Sequence, residues 1–78
     1  MARITLIGKP GCHLCDVAQE VIEKVSSDTG TAWEKVSIDD DRALKRKYWD
    51  KIPVIMVDGD EFAMYHVEEA GLRAALDH

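Results

Sequence analysis

The fold of this chain is decided at residues 8–16, which read Gly8-Lys9-Pro10-Gly11-Cys12-His13-Leu14-Cys15-Asp16. This stretch holds both cysteines of the 78-residue sequence. A short apolar run at residues 4–7 precedes it, and apolar residues at helical spacing follow it as far as Val25. The pattern predicts a strand, a tight loop containing Pro10 and Gly11, and a helix of about four turns.

The two cysteines lie one helical turn apart, and their positions predict different chemistry. Cys12 would stand at the helix N-terminus, where unpaired backbone N–H groups and the helix dipole favour a thiolate. Cys12 is therefore the candidate nucleophile, and Cys15, one turn deeper, is close enough to resolve a mixed disulfide formed at Cys12. Positive charge on Lys9 or His13 would favour the thiolate further, although a solvated side chain explains each of them equally well.

Size and composition describe one small globular domain spanning residues 1–78. The chain is 46% apolar and 32% charged, and its length leaves no room for a second domain. Its net charge of −5 argues against a nucleic-acid surface, because phosphate binding needs clustered lysine and arginine. The one basic cluster, residues 45–47, follows aspartates at residues 39–41, and we interpret it as the solvated face of a short helix. We expect a monomer.

The start of the chain predicts a cytoplasmic protein with no membrane partner. Its first apolar run is too short for a secretory signal or a membrane span. In a reducing compartment a close cysteine pair is more often catalytic, redox-sensing or metal-binding than structural. We predict no metal ligands, because zinc would need a second ligand pair and nothing in the sequence shows that His13, His66 and His78 converge.

Apolar spacing and turn residues predict seven strands and helices along the chain. We expect strands at residues 2–8, 32–38, 54–57 and 62–65, and helices at residues 12–27, 39–49 and 67–76. The order β-α-β-α-β-β-α predicts an α/β sandwich of three layers around a mixed four-stranded sheet, with the first strand central. On the first helix we expect one buried face, formed by Leu14, Val17, Ala18, Val21, Ile22 and Val25.

Several single residues carry narrower expectations. Leu44 and Tyr48, spaced i and i+4, would form the inner face of the second helix. We interpret Trp33 as packing material, and we expect Trp49 to be buried in the core or at an edge rather than to line a groove beside the cysteines. Asp58-Gly59 predicts a hairpin turn between the last two strands.

Three features together resemble the glutaredoxin branch of the thioredoxin-fold superfamily, and more narrowly the small glutaredoxin-like proteins of bacteria. They are the Cys12-His13-Leu14-Cys15 motif after a first strand, Ile52-Pro53 opening a buried strand, and the Asp58-Gly59 turn. The resemblance implies a thioredoxin-like fold and a thiol–disulfide oxidoreductase that serves electron transport and cell redox homeostasis. It also implies that Pro53 is cis, beside the cysteines, where the backbone of Ile52 hydrogen-bonds an extended disulfide substrate.

The resemblance carries expectations for the binding residues and the reductant. We expect Lys9, His13, Ile52 and Pro53 to contact a disulfide-containing protein or small molecule. No cofactor is expected to be bound, and the reductant would be glutathione or a thioredoxin-reductase-like flavoprotein. The glutathione-binding Gly-Gly of ordinary glutaredoxins is absent after Asp58-Gly59, where the corresponding stretch, residues 64–68, reads Met-Tyr-His-Val-Glu. Two bulkier side chains in place of the two glycines would obstruct the usual glutathione pose.

Two alternatives remain open from the sequence. In one, the thioredoxin-like fold is a binding module whose two thiolates hold zinc or an Fe–S cluster shared between subunits. In the other, the domain only mediates an interaction and does not turn over. The inter-cysteine pair His13-Leu14 also differs from the Pro-Tyr common in glutaredoxins, so the family's redox potential does not transfer to this chain.

Overall fold

The structure is a computed structural model that describes residues 3–76. Its strands and helices are β1 (Arg3–Gly8), α1 (His13–Thr29), β2 (Ala32–Ser37), α2 (Arg42–Tyr48), β3 (Val54–Val57), β4 (Asp60–Met64) and α3 (Glu69–Leu76). A 3₁₀ turn, Ile38–Asp40, leads from β2 towards α2. The predicted order β-α-β-α-β-β-α is confirmed.

The four strands form one mixed sheet in the order β2-β1-β3-β4. The central strand β1 runs parallel to β2 and antiparallel to β3, with Ile7 opposite Val54. Strands β3 and β4 form an antiparallel hairpin whose turn holds Asp58 and Gly59, both at positive φ. The predicted mixed sheet and central first strand are therefore confirmed. Because β1 ends where β3 begins, the loops after β1 and before β3 lie at the same edge of the sheet.

Side chains on both faces of β1 are buried, and each face supports its own core. On one face Ile4 and Leu6 pack with residues of α1 and α3. On the other face Ile7 packs with Tyr48 of α2. Successive strand residues point to opposite faces, so a strand that is apolar on both sides must be covered on both. The sheet is the middle layer of three, as predicted.

The buried face of α1 differs from the predicted one. Ala18, Ile22 and Val25 are buried as expected, whereas Leu14 is 52% exposed and Val17 is 41% exposed. The buried stripe runs through Cys15 instead. A leucine could not take that position, because the sulfur of Cys15 lies directly against the backbone of β1 and only a small side chain fits there.

Element boundaries also shift, for local reasons. Helix α2 begins at Arg42 rather than at residue 39, since Asp41 is its N-cap and accepts hydrogen bonds from the next helical N–H groups. Strand β4 begins at Asp60, before the predicted residue 62, and ends at Met64 because Tyr65 has a left-handed φ of 67°. Helix α3 begins at Glu69 rather than at residue 67. Residues 2 and 78, which carried sequence predictions, lie outside the described residues.

The aromatic residues of the middle region separate into buried and exposed groups. Tyr48 is 3% exposed and Leu44 packs beside it, which confirms the predicted inner face of α2. Trp33 packs against the core of α1 and α3, as expected. The expectation for Trp49 was wrong: it is 65% exposed, because it follows the last residue of α2 and lies on the outer side of that helix, away from Tyr48.

Within residues 3–76, none of the helices has the length and apolar content needed to cross a bilayer.

Candidate active site

Four chain segments meet at one edge of the sheet, which is formed by Gly8, Ser37, Val54 and Met64 and is called here the cysteine edge. Gly8 ends β1 and pairs with Ser37 at the end of β2. Val54 begins β3 and pairs with Met64 at the end of β4. The loop of residues 9–12, which ends at Cys12, follows Gly8. The loop that contains Ile52 and Pro53 leads into Val54, so both loops lie at this edge.

Cys12 is the N-cap of α1 and has an extended backbone, with φ −86° and ψ 110°. Its Sγ accepts a hydrogen bond from the backbone N–H of Cys15 at 3.2 Å. The sulfur thus takes the place that a serine or aspartate oxygen fills in most N-caps. Gly11, at φ 77°, lets the loop turn sharply before the cap. The cap thus aims a backbone N–H group of the first helical turn at the Cys12 sulfur.

Cys15 lies beneath Cys12 and is fully buried, whereas Cys12 is partly exposed; the two are not bridged. Burial, reinforced by the hydrogen bond with Cys12, raises the pKa of the Cys15 thiol from 9.0 to about 11. The backbone N–H of Lys9 opposes that shift by hydrogen bonding to the Cys15 sulfur. At neutral pH, Cys15 is therefore a thiol. The pair combines one accessible sulfur with one that is withheld from solvent and protonated.

Lys9 and His13 flank Cys12 in sequence, and both side chains are exposed to solvent. The contact of Lys9 with the cysteine pair is made by its backbone, through the N–H that faces Cys15. Their side chains are thus free to meet a ligand that approaches Cys12.

The Ile52-Pro53 peptide bond is cis, as the resemblance implied. Pro53 is buried and Ile52 packs at the margin of the core beside α2. The carbonyl of Pro53 accepts a hydrogen bond of 2.7 Å from the backbone N–H of Tyr65, which ties the loop after β4 to the loop before β3. The cis proline therefore lies at the cysteine edge, held from the side of β4.

A family model described as Glutaredoxin-like domain (DUF836) matches residues 3–77. The chain belongs to this glutaredoxin-like family. An uncharacterised protein of Mycobacterium tuberculosis is 30% identical over 79 residues, an alignment that covers 92% of this chain and 79% of that protein. A protein of Mycobacterium bovis, also uncharacterised, aligns with the same identity and coverage.

Solved structures, a thioredoxin among them, have the same fold. A structural-genomics target from X. campestris is 34% identical with a TM-score of 0.77, and the match covers 95% of each chain. A Nitrosomonas europaea protein is 24% identical with a TM-score of 0.80, covering 95% of this chain and 89% of that one. A mutant thioredoxin from Halobacterium salinarum is 21% identical with a TM-score of 0.70, covering 97% and 72%. The predicted thioredoxin-like fold and glutaredoxin-like family are confirmed.

Gly8 belongs to the site although the sequence analysis did not place it there, and Tyr65, expected there only as a bulky replacement for glycine, contributes its backbone as well. A Cβ on Gly8 would lie 2.7 Å from the sulfur of Cys15, so the absence of a side chain lets the buried cysteine approach the strand. The signal in the sequence was a glycine at the end of a strand just before the cysteine motif, because glycine in a strand often marks the close approach of another group. Tyr65 is 50% exposed and its left-handed backbone follows β4 directly. Nothing in its sequence context indicates that conformation, which glycine or asparagine adopts far more readily.

Metal ligation receives no support from the described part of the chain. Among residues 3–76 no group of three or more histidine, cysteine, aspartate or glutamate side chains is arranged to hold a metal ion. After β4, His66 Nε2 lies 3.9 Å from Glu68 Oε1. The cysteine edge itself presents two adjacent sulfurs with unequal exposure.

Proposed function

We propose that this chain is a thiol–disulfide oxidoreductase that reduces disulfides through the couple formed by Cys12 and Cys15. The observation that carries the proposal is the stacked arrangement of the two sulfurs. A partly exposed N-cap sulfur at Cys12 accepts the N–H of Cys15 at 3.2 Å, directly above the buried thiol of Cys15. The first sulfur is accessible to a substrate, and the second is protected until the first has reacted.

The reaction proceeds in two exchanges that balance. The Cys12 thiolate attacks one sulfur of the substrate disulfide, the substrate S–S bond breaks, and the departing thiolate takes a proton from solvent. Cys15 then loses its proton, and its sulfur attacks the Cys12 sulfur of the mixed disulfide. The second substrate thiolate departs and is protonated. The substrate gains two electrons and two protons, and a Cys12–Cys15 disulfide remains.

The raised pKa of Cys15, about 11, supports this order of events. At neutral pH a protonated Cys15 does not compete with Cys12 for the substrate, because the thiolate is the attacking species. After the first exchange, Cys12 is part of a neutral mixed disulfide and no longer raises the pKa of Cys15 through its charge. Deprotonation of Cys15 is therefore easier at the moment when its attack is required.

We assign substrate contact to the exposed side chains of Lys9 and His13 and to the loop of Ile52 and Pro53. Lys9 and His13 flank Cys12 in sequence, and the cis-proline loop shares the cysteine edge with the loop that carries Cys12. An extended substrate segment would lie along the cis-proline loop and place its disulfide over the Cys12 sulfur. Activity of this kind belongs in a reducing compartment, and the proposal assigns it to the cytoplasm.

The reductant that restores the dithiol is proposed to be a thioredoxin-reductase-like flavoprotein or glutathione. Tyr65 supports the flavoprotein, because its backbone is hydrogen-bonded to Pro53 and its half-exposed side chain replaces a glycine of ordinary glutaredoxins. The redox potential separates the two cases. Glutaredoxins lie at about −200 to −230 mV and thioredoxin at about −270 mV, so a potential near the lower value favours the flavoprotein.

The test is a redox titration of the purified protein in glutathione and dithiothreitol buffers, with thiols counted by alkylation and mass spectrometry. We expect a reversible two-electron couple and reduction of the uncharged substrate 2-hydroxyethyl disulfide. Cys12→Ser is expected to abolish reduction, whereas Cys15→Ser is expected to accumulate a mixed disulfide at Cys12. Each variant serves as the control for the other. Failure of an intramolecular disulfide to form, or thiols protected by zinc or an Fe–S cluster, would contradict the proposal.

A further inference from the structure

The outward face of α2 and the residue after it carry a cluster that the proposed reaction does not use. Arg42, Lys45, Arg46 and Trp49 line an open groove of about 470 Å³. Their spacing, i, i+3, i+4 and i+7, places them on one side of the helix. The opposite side holds Tyr48, which is buried in the core. These four residues are called here the α2 groove.

The three basic side chains of the α2 groove differ in whether they form a salt bridge with another described residue. Lys45 lies 3.5 Å from Asp39. Within residues 3–76, Arg42 and Arg46 form no salt bridge. Two guanidinium groups one turn apart therefore face solvent, in a chain whose net charge is −5. Each of them can bind a carboxylate through two parallel hydrogen bonds.

Trp49 gives the groove an apolar anchor. It is 65% exposed, more than any other large hydrophobic side chain of the described residues. Tryptophan and arginine are the residues most enriched among those that dominate protein–protein binding energy, and here they adjoin. A lone exposed apolar side chain needs no explanation, but one bordered by two unpaired arginines has the composition of a protein-binding surface.

The groove adjoins the cysteine edge. The chain leaves this edge after Ser37 and returns to it at Pro53, so the segment that carries α2 begins and ends there. Trp49 precedes Pro53 by four residues, which limits the distance between their Cα atoms to about 14 Å. A polypeptide lying along the cis-proline loop would therefore reach the groove within a few residues of its disulfide.

Charge and symmetry select among possible occupants. A nucleic-acid backbone would meet aspartates that flank the groove residues in sequence, at residues 39–41 and 50, and that repel phosphate. A second copy in a two-fold dimer centred on the groove would bring one basic surface against an identical one. A separate polypeptide with carboxylates at the spacing of one helical turn has neither difficulty, because it can meet the arginines and avoid the aspartates.

We infer that the α2 groove binds an acidic segment of the substrate protein and thereby selects disulfides flanked by aspartate or glutamate. This inference rests on the proposed oxidoreductase function and names its substrate class. Arg42 and Arg46 bind the carboxylates of the segment, and Trp49 packs against its apolar atoms. The preference is electrostatic in origin, so it weakens as salt screens the charges.

The test compares three synthetic peptides that share one intramolecular disulfide and differ only in flanking glutamates, glutamines or lysines. We expect the reduced protein to reduce the glutamate peptide about tenfold faster than the glutamine peptide at low ionic strength, and the lysine peptide more slowly than either. The preference is expected to fall towards unity in high salt. The variant Arg42→Gln/Arg46→Gln is expected to lose it while retaining the wild-type rate on 2-hydroxyethyl disulfide.

Matched controls separate the groove from general charge and hydrophobicity. Arg3→Gln/Lys24→Gln removes the same charge from β1 and α1 and is expected to keep the preference for glutamate. Trp49→Ala is expected to slow reduction of every peptide, whereas Phe62→Ala, which truncates an exposed aromatic on β4, is not. An equal rate on the glutamate and glutamine peptides, or a preference that survives Arg42→Gln/Arg46→Gln, overturns the inference.

A binding readout keeps the inference testable if the protein proves unable to reduce disulfides. In the Cys12→Ser/Cys15→Ser protein, we expect the glutamate peptide to shift the NMR signals of the Trp49 indole and of the arginine side chains in the groove. If the wild-type protein does not reduce 2-hydroxyethyl disulfide but the variant still shows these NMR shifts, only the oxidoreductase function is refuted. Absence of the shifts, competition by a single-stranded oligonucleotide, or arginine-dependent self-association would refute the acidic-segment assignment.

Discussion

Gly8 and Cys15 form the closest contact between β1 and α1 at the site, and its effect on stability is open to direct test. A Cβ at residue 8 would lie 2.7 Å from the Cys15 sulfur and 3.2 Å from its Cβ. We therefore expect Gly8→Ala to destabilise the reduced protein by about 1–3 kcal/mol, as overpacking of a core does. Urea unfolding measures this change. In a Cys15→Ala background the same substitution is expected to cost less, since the sulfur is gone; an equal cost in both backgrounds would show that the contact is not the cause.

The Cys15 thiol also predicts a titration that differs from that of an ordinary cysteine. Burial and the hydrogen bond with Cys12 raise the pKa of Cys15 to about 11. The ¹³Cβ chemical shift of Cys15, followed against pH by NMR, is expected to give that midpoint in the reduced wild type. In Cys12→Ser the midpoint is expected to fall but to stay above 9.0, because burial, the larger cause, is retained. A wild-type midpoint at or below 9.0 would contradict the buried position of the thiol.

At the scale of elements, α2 depends on a single N-cap. Asp41 Oδ1 accepts hydrogen bonds from the N–H groups of Ala43 at 2.8 Å and Leu44 at 3.2 Å. Because α2 has seven residues and cannot be stable by itself, we expect Asp41→Ala to destabilise the protein by about 1 kcal/mol. Asp40→Ala, which removes the same charge from the adjacent 3₁₀ turn, is the control and is expected to have a much smaller effect. Thermal unfolding distinguishes them; equal losses would mean that charge, not capping, is responsible.

The elements show which sequence signals sufficed and which did not. Apolar runs and the Asp58-Gly59 turn predicted the strands and their order, because burial on both faces and a left-handed turn leave direct traces in sequence. Periodicity alone misplaced the face of α1, since Leu14 and Cys15 both fit a helical stripe and only the contact with Gly8 decides between them. The exposure of Trp49 was missed because residue type predicts burial only on average.

The candidate site was predictable to a similar degree. The cysteine motif located Cys12 and Cys15, and the resemblance supplied the cis bond before Pro53, which no local pattern requires. The left-handed backbone of Tyr65 and its hydrogen bond to Pro53 could not be anticipated, because they depend on how β3 and β4 end at the same edge. Contacts between segments distant in sequence are set by the register of the sheet rather than by local preference.

At the scale of the whole molecule, the raised pKa of the buried Cys15 thiol predicts how stability depends on pH. The folded protein holds this proton up to a pKa of about 11, whereas the unfolded chain releases it near 9.0, so the native state binds more protons between these values. The free energy of unfolding therefore falls as pH rises through this window, and the contribution of Cys15 is fully present below pH 9. Tyr48 adds a change of the same sign, because its hydrogen bond to Glu61 raises the pKa of the phenol above 10.0.

The two contributions are separated by urea unfolding of the reduced protein at intervals from pH 8 upwards. Cys15→Ala is expected to be less stable than the wild type at pH 8, because it leaves a small cavity, but to lose less stability as pH rises. Tyr48→Phe corrects for the tyrosine in both backgrounds. The wild type and Cys15→Ala are expected to converge above pH 9, since only the wild type gives up a buried proton. Parallel curves would instead mean that Cys15 titrates alike in the folded and unfolded states, and the division of roles between the two sulfurs would lose its physical basis.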